Sequence, residues 1–412
     1  MSREAARSNS GVFHGWLVVA AAFAVTFVGF GCAYTFSAFL EPLQRDFGAS
    51  RGSVSLVFSV AGFLYFGLGV VSGPLADRFG SRLLAVIGML VIGLGLAAAS
   101  AAHSLIEVYA AYGLGVGLGV GCAYVPAVGA VQRWFVRRRG LASGLAVSGI
   151  GVGTLVMPPL ATLLIDMQGW RGAYLTLGAF AAVIGGGMAL LLENDPRARG
   201  LGPDGDPPRP GAASAPGASV GKAIRSQHFI ALYAACLTCS FGVFVPFVHL
   251  VPYAGDHGLP ATSAVLLLGM IGVGSTAGRF FLGGLADRMG RQTSLLLMFI
   301  GMAVALFIWL ISTSVGPLAA FAFIYGVFYG GWVAVLPAVV MDYFGGRNVS
   351  GIIGILYTSV AFGTLIGPSA AGFAFDLTHT YTLPILASAA ANVIAAMIVT
   401  MMVRATPARE WS

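Results

Sequence analysis

The chain has 412 residues, of which 58% are hydrophobic and only 9% charged, and its mean hydropathy is +0.88. Soluble domains carry about 25% charged residues, so a water-facing surface cannot be built from this composition. That excludes the roughly two or three soluble domains that length alone suggests. The net charge of +7 is not gathered into a patch, which argues against a nucleic-acid partner.

A helix that crosses a membrane needs about 20 largely apolar residues. Twelve such stretches follow one another at 15–40, 53–72, 83–102, 106–131, 141–165, 172–192, 229–253, 262–286, 293–313, 316–341, 349–374 and 381–403. The first is too long, and too weakly basic at its start, to be a cleaved signal peptide. Several are long enough to imply tilt or kinks. The expectation is an all-α membrane protein with twelve transmembrane helices in two six-helix halves. Residues 1–14 precede the first half (15–192), residues 193–228 link it to the second (229–404), and 405–412 form a tail. The linker carries Asn194-Asp195-Pro196, Pro203-Asp204-Gly205-Asp206-Pro207-Pro208 and a Gly/Ala/Ser/Pro tract, too polar to order itself by apolar burial.

Of the 22 Lys and Arg, Arg45, Arg51 and Arg171 fall on one side of the alternating loops and Arg279 lies inside a span. All the rest share the other side. The positive-inside rule then puts both termini and the linker in the cytoplasm of a bacterial inner (plasma) membrane. The four cysteines (Cys32, Cys122, Cys236, Cys239) lie inside spans and read as buried small residues rather than as disulfide partners or metal ligands. No cofactor or metal is expected.

The halves repeat each other. Gly73-Pro-Leu-Ala-Asp77-Arg78-Phe-Gly80 returns 210 positions later as Gly283-Gly-Leu-Ala-Asp287-Arg288-Met-Gly290, and Gly153-Thr154 with Pro158 returns at the same offset as Gly363-Thr364 with Pro368. Such duplication predicts a site near mid-membrane between the halves. The repeated loop resembles the signature of the major facilitator superfamily, over essentially the whole chain. The resemblance implies a conformational latch at Asp77, Arg78, Asp287 and Arg288, bracing the outward-facing state.

A second resemblance narrows the family. Trp134-Phe135-Val-Arg137-Arg138-Arg139-Gly-Leu141-Ala142-Ser-Gly144-Leu-Ala146-Val-Ser-Gly149 is similar to the signature between the fourth and fifth helices of monocarboxylate transporters. Gly31-Cys-Ala-Tyr34-Thr-Phe36-Ser with Phe47-Gly48 is similar to the same group and to oxalate/formate exchangers. The acidic start of the first helix found in many animal members is replaced by His14-Gly15-Trp16, as in a bacterial-type relative.

The census of charges carries the chemistry. Arg279 is the one cation well inside a span, and Glu41, Asp342 and Asp376 stand near span ends. A cation at mid-membrane costs roughly 2.5–3.5 kcal/mol on insertion scales and marks a functional site by default. A structural ion pair would need a buried carboxylate, which the spans lack. Guanidinium matches a carboxylate with paired donors, so Arg279 is expected to receive a substrate carboxylate. The family resemblance also places an Arg in the eighth helix. Many animal relatives add an Asp four residues earlier and a Lys in the first helix; here Ser275 stands at that position and the first span has no Lys. The exchangers' second cation, after a Tyr-Thr-small sequence, is replaced by Val360 after Tyr357-Thr358-Ser359. One cation balances one carboxylate, which favours a monocarboxylate such as lactate or pyruvate.

His249, between Pro246 and Pro252, is the candidate for proton coupling, and with Arg279 would let a proton and a carboxylate move without net charge. Its alternative role is packing, donating to a carbonyl freed by the prolines. Tyr34, Tyr124 and Tyr329 could add hydroxyl donors to the pocket or serve as packing residues. Pro126, Pro158, Pro337 and Pro368 are expected to kink cavity helices. The overall expectation is a secondary active transporter that works as a monomer in the lipid bilayer and carries a small carboxylate with a proton. The rival within transport is a carboxylate/carboxylate exchanger. A drug efflux pump would carry a buried acid, an enzyme would need converging acid, base or metal ligands, and a receptor a substantial soluble module; none of these stands in the sequence.

Overall fold

The computed structural model describes residues 13–207, 217–345 and 349–404, without the side chains of 77, 139, 140, 283, 284, 287, 349, 350, 403 and 404. The segments 1–12, 208–216 and 405–412 lie outside the described residues, as do the carboxyl groups of the expected latch, Asp77 and Asp287.

Among the described residues, ten helical stretches are long and apolar enough to cross a membrane, and the bent pair Arg51–Gly67 and Gly69–Ala76 makes an eleventh. The twelfth comes from the longest stretch, Leu141–Ala189, because Gly169 breaks it with φ 72° and ψ 169°. In chain order the spans are α1 (Gly15–Phe47), α2 (Arg51–Gly67 continued by Gly69–Phe79), α3 (Ser81–Ser100), α4 (Leu105–Trp134), α5 (139–168), α6 (170–189), α7 (Gln227–Asp256), α8 (Ala261–Met289), α9 (Arg291–Leu310), α10 (Val315–Phe344), α11 (Val349–Thr378) and α12 (Thr382–Arg404).

The helices sort by what their faces meet. On α3, α6, α9 and α12 large apolar side chains point outward and are exposed, among them Leu94, Val183, Val304 and Met401. Such a belt fits hydrocarbon rather than water. The halves meet along two seams, α2 against α11 and α5 against α8. Both seams rely on glycine. A Cβ on Gly272 of α8 would lie 2.5 Å from the Gly151 carbonyl oxygen of α5, and one on Gly372 of α11 would lie 2.7 Å from Cα of Gly52 on α2. Small residues at these points let the backbones approach closely.

The duplication is written in the backbone as well. Gly80 and Gly290, which close the repeated loops, hold nearly the same conformation (φ 91°, ψ 143° and φ 87°, ψ 134°), one that favours glycine. Both α1 and α7 are interrupted near their middles, at Thr35 and Phe244, 209 positions apart. Pro126, Pro158, Pro337 and Pro368 sit inside α4, α5, α10 and α11.

Residues 193–207, expected to be part of a loose linker, are docked on the first half by polar contacts. Glu193 receives Arg199 through two hydrogen bonds of 2.7 Å and lies 3.5 Å from both Arg82 and His14. Asn194 accepts from Ser81 at 2.7 Å and also from Arg133. Asp204 accepts the backbone amides of Val136 and Arg137 at 3.1 and 2.9 Å. Hydrogen bonds, rather than apolar burial, order this stretch. The bundle therefore has a linker face, where these contacts lie, and a far face at the other ends of the helices.

Candidate functional site

A narrow cavity of about 20 Å³, room for little more than a water molecule, lies between the halves. Its walls come from α1, α2, α4 and α5 of the first half and α7, α8, α10 and α11 of the second. Aromatic rings dominate: Phe30, Phe66, Tyr124, Phe244, Tyr329, Trp332 and Tyr357, with Ile150, Val333, Leu336 and Val360 between them. Phe30 meets Tyr124 edge-on at 5.0 Å, and Phe244 meets Tyr329 edge-on at 6.2 Å. Aromatic pairs of this kind hold one another in fixed orientations.

One charge stands in that wall. Arg279 is 5% exposed, and among the described residues it is the one Lys, Arg, Asp or Glu that is buried. Its Nε and both Nη nitrogens have no hydrogen-bond partner among the described residues. A buried charge without a partner is costly, and the guanidinium has five donors to offer. Tyr124, Tyr329 and Tyr357 share the cavity with it, and no carboxylate lines the cavity among the described residues. Chemically, the arrangement offers paired donors to one anionic group and apolar rings to the rest of a small molecule, once the halves part enough to admit one.

The other expected site residues divide. Tyr124 and Tyr329 line the cavity. Tyr34 does not; its hydroxyl lies 3.4 Å from that of Tyr329, joining the two halves behind the cavity wall. His249 is fully buried but is also absent from the lining. It belongs to a separate network near the far face. Its Nε2 is 2.7 Å from the Pro368 carbonyl oxygen of α11 and its Nδ1 is 3.0 Å from the Tyr381 hydroxyl at the start of α12. The Ser55 hydroxyl of α2 stands 3.5 Å from Nε2. Sequence reasoning paired His249 with Arg279; of the two, Arg279 alone lines the cavity.

The far-face network ties the halves together. Arg51 of α2 donates to both oxygens of Asp256 at the end of α7, at 2.5 and 2.6 Å, and to the Tyr381 hydroxyl at 3.0 Å. Its guanidinium lies 4.1 Å from the centre of the Phe375 ring. Asp376 at the end of α11 accepts the first amides of α2, Arg51 N–H at 3.0 Å and Gly52 N–H at 2.9 Å. A carboxylate in that place caps orphan amides and meets the positive end of the helix dipole. At the linker face, Arg78 lies exposed over its neighbour Phe79, 5.2 Å from the ring centre, and Arg288 is exposed. Arg291 of α9 pairs with Asp342 of α10 at 2.7 Å, inside one half.

The aromatic cage and the far-face network escaped sequence analysis. Among 28 Phe and 13 Tyr, helical periodicity does not separate a cavity-facing ring from a packed one. The one available signal for the network was that Arg51 belongs to the small set of cations on its side of the membrane.

Residues 21–316 and 230–412 match the family described as the Major Facilitator Superfamily. The chain is 30% identical over 403 residues to human monocarboxylate transporter 11, covering 95% of this chain and 84% of the relative. It is 31% identical to zebrafish monocarboxylate transporter 12-B (89% and 82% covered) and 31% identical to rat monocarboxylate transporter 4 (89% and 78% covered). Among solved structures it resembles a bacterial homologue of the human lysosomal transporter Spinster, with a TM-score of 0.72 and 16% identity over 96% of this chain and 98% of that one. At that identity the likeness speaks for the fold.

Proposed function

We infer that this chain, which belongs to the monocarboxylate transporter family of the major facilitator superfamily, moves a small monocarboxylate of the lactate or pyruvate kind across the membrane by alternating access. It is an integral, multi-pass transporter and not an enzyme. The observation that carries the choice of cargo is the buried guanidinium of Arg279, unpartnered among the described residues, in a cavity between the halves. A single cation neutralises a single carboxylate; a second carboxylate on the cargo would enter an aromatic wall with no counter-charge. Tyr124 and Tyr329 stand where hydroxyls could orient the bound acid.

The Lys and Arg bias places the linker face in the cytoplasm, so the far face is external. The far-face network then describes a state closed to the outside, with the halves able to rock about the α2/α11 and α5/α8 seams. In the opposite state we assign the bracing role to Asp77, Arg78, Asp287 and Arg288. His249 is the titratable group we assign to proton coupling, since the cavity offers no carboxylate among the described residues. The chain works as a monomer in this reading, because its site lies wholly between its own halves.

Uptake of radiolabelled lactate, pyruvate, formate and oxalate into proteoliposomes tests the function. Lactate or pyruvate should accumulate when a pH gradient, acid outside, is imposed. Uptake driven by internal oxalate or formate, and indifferent to the pH gradient, would instead establish exchange.

A further inference from the structure

The hydrogen bonds around His249 fix its protonation pattern. A carbonyl oxygen only accepts, so the 2.7 Å contact with Pro368 requires a proton on Nε2. In the neutral ring Nδ1 then carries a lone pair and accepts from the Tyr381 hydroxyl at 3.0 Å. Having given its proton to His249, the Tyr381 oxygen is free to accept from Arg51 Nη1, also at 3.0 Å. Arg51 completes its fork on Asp256 across the gap between the halves. The donors run in one direction: Arg51 to Tyr381, Tyr381 to His249, His249 to Pro368.

We propose that His249 is a proton site built into the external seal, and that binding a proton there and closing that seal oppose each other. A second proton, on Nδ1, turns the acceptor of this chain into a donor. The Tyr381 hydroxyl then faces donors on both sides, from Arg51 and from His249, and its own hydrogen loses its acceptor inside a buried network. A second positive charge also arrives one hydroxyl away from the Arg51 guanidinium. Proton on and seal closed are therefore poorly compatible, and by linkage external acid shifts the molecule towards the externally open state. In the transport cycle a proton bound without cargo holds the outer door open, so it does not cross alone.

The groups facing His249 are few. From α2 come Arg51 and Ser55, from α11 Asp376, from the turn before α12 Tyr381, and from its own helix and its C-cap Tyr253, Asp256 and His257. The neighbouring stretch of α1 carries Glu41 and Arg45, paired with each other, and Asp46, paired with Arg171 at 2.6 Å. On α8 no charged residue precedes Arg279. Asp256, Asp376, His257 and His379 are the other ionisable groups around this network, and His249→Gln, which leaves all four in place, separates His249 from them.

The proposal rests on the alternating-access reading and is independent of which acid is carried. Spin labels on Ala101→Cys and Thr262→Cys, both exposed on the far face of opposite halves, would report the opening by distance. The four native cysteines are replaced by alanine and the full chain is reconstituted without cargo. Between about pH 8 and about pH 5.5, the open fraction should rise by roughly threefold or more in the parent chain. His249→Gln can still donate to Pro368 and accept from Tyr381 but carries no titrating proton, and should stay closed throughout. Should His249→Gln misfold, Tyr381→Phe removes the hydroxyl that protonation strands, and the pH response should shrink. An unchanged open fraction in the parent chain overturns the proposal, and so does an undiminished response in His249→Gln or Tyr381→Phe. Lactate uptake by the same vesicles is scored separately, so a failure of the seal mechanism is distinguishable from a failure of the transport reading.

Discussion

Gly151 and Gly272 press backbone against backbone between the two halves, and a Cβ on Gly151 would stand 2.8 Å from the Gly272 carbonyl oxygen. Arg279 follows Gly272 by seven residues, two turns of α8, and so lies on nearly the same face. The contact that lets the halves approach thus also sets where the guanidinium meets the cavity. Any side chain inserted there pushes α8 away from α5.

Gly272→Val should therefore abolish transport while leaving a folded protein. Overpacking a tight contact costs about 1–3 kcal/mol, which a twelve-helix bundle tolerates more readily than a moving seam does. Lactate uptake should fall at least tenfold, with thermal unfolding in detergent shifted by only a few degrees. Wild-type uptake in Gly272→Val would show that the seam is not strained during the cycle.

The three tyrosines expected to bind substrate should separate in kinetics. Tyr124→Phe and Tyr329→Phe each remove a hydroxyl from the cavity and should raise KM for lactate about 3- to 10-fold, the loss of a single hydrogen bond. The Tyr34 hydroxyl stands 3.4 Å from that of Tyr329, and Tyr34→Phe keeps the ring contacts with Phe30 and Phe244, so it should change KM less than either. Concentration series of uptake for the three variants provide the check.

Glu193 should tie the stability of the linker face to acid. The hydrogen bond from Arg199 holds its carboxyl below the ordinary value of 4.5, with Arg199, His14 and Arg82 adding their charges. A depressed folded value means that the contribution is fully present above the unfolded value and is lost as pH falls through the folded one. Wild-type thermal unfolding should accordingly drop as pH falls below 4.5. Glu193→Gln should start lower at neutral pH and lose less on acidification. Identical pH profiles for the two would remove Glu193 as the cause.

Much of the architecture was legible in the amino acids because membranes impose coarse rules. Twelve apolar stretches, the 210-residue offset of the Asp77-Arg78 and Asp287-Arg288 loops, and the isolation of Arg279 all follow from charge and length. The cage around Arg279 was not legible, since Phe30, Phe66, Phe244 and Trp332 look like any other aromatic residue in a hydrophobic span. The place of His249 was not either: its partners Pro368 and Tyr381 lie 119 and 132 positions away, and periodicity carries no information at that range. The docked stretch 193–207 was misjudged on apolar content, because it is ordered by carboxylates such as Asp204 reaching backbone amides.

The central claim is that Arg279 takes its counter-charge from the cargo, and direct binding tests it most closely. Calorimetric titration of the purified, detergent-solubilised chain with lactate should show binding to the parent and none to Arg279→Ala. Arg279→Lys should fall between, because it keeps the charge but loses the paired donors. Lactate binding to Arg279→Ala with undiminished affinity would contradict the account.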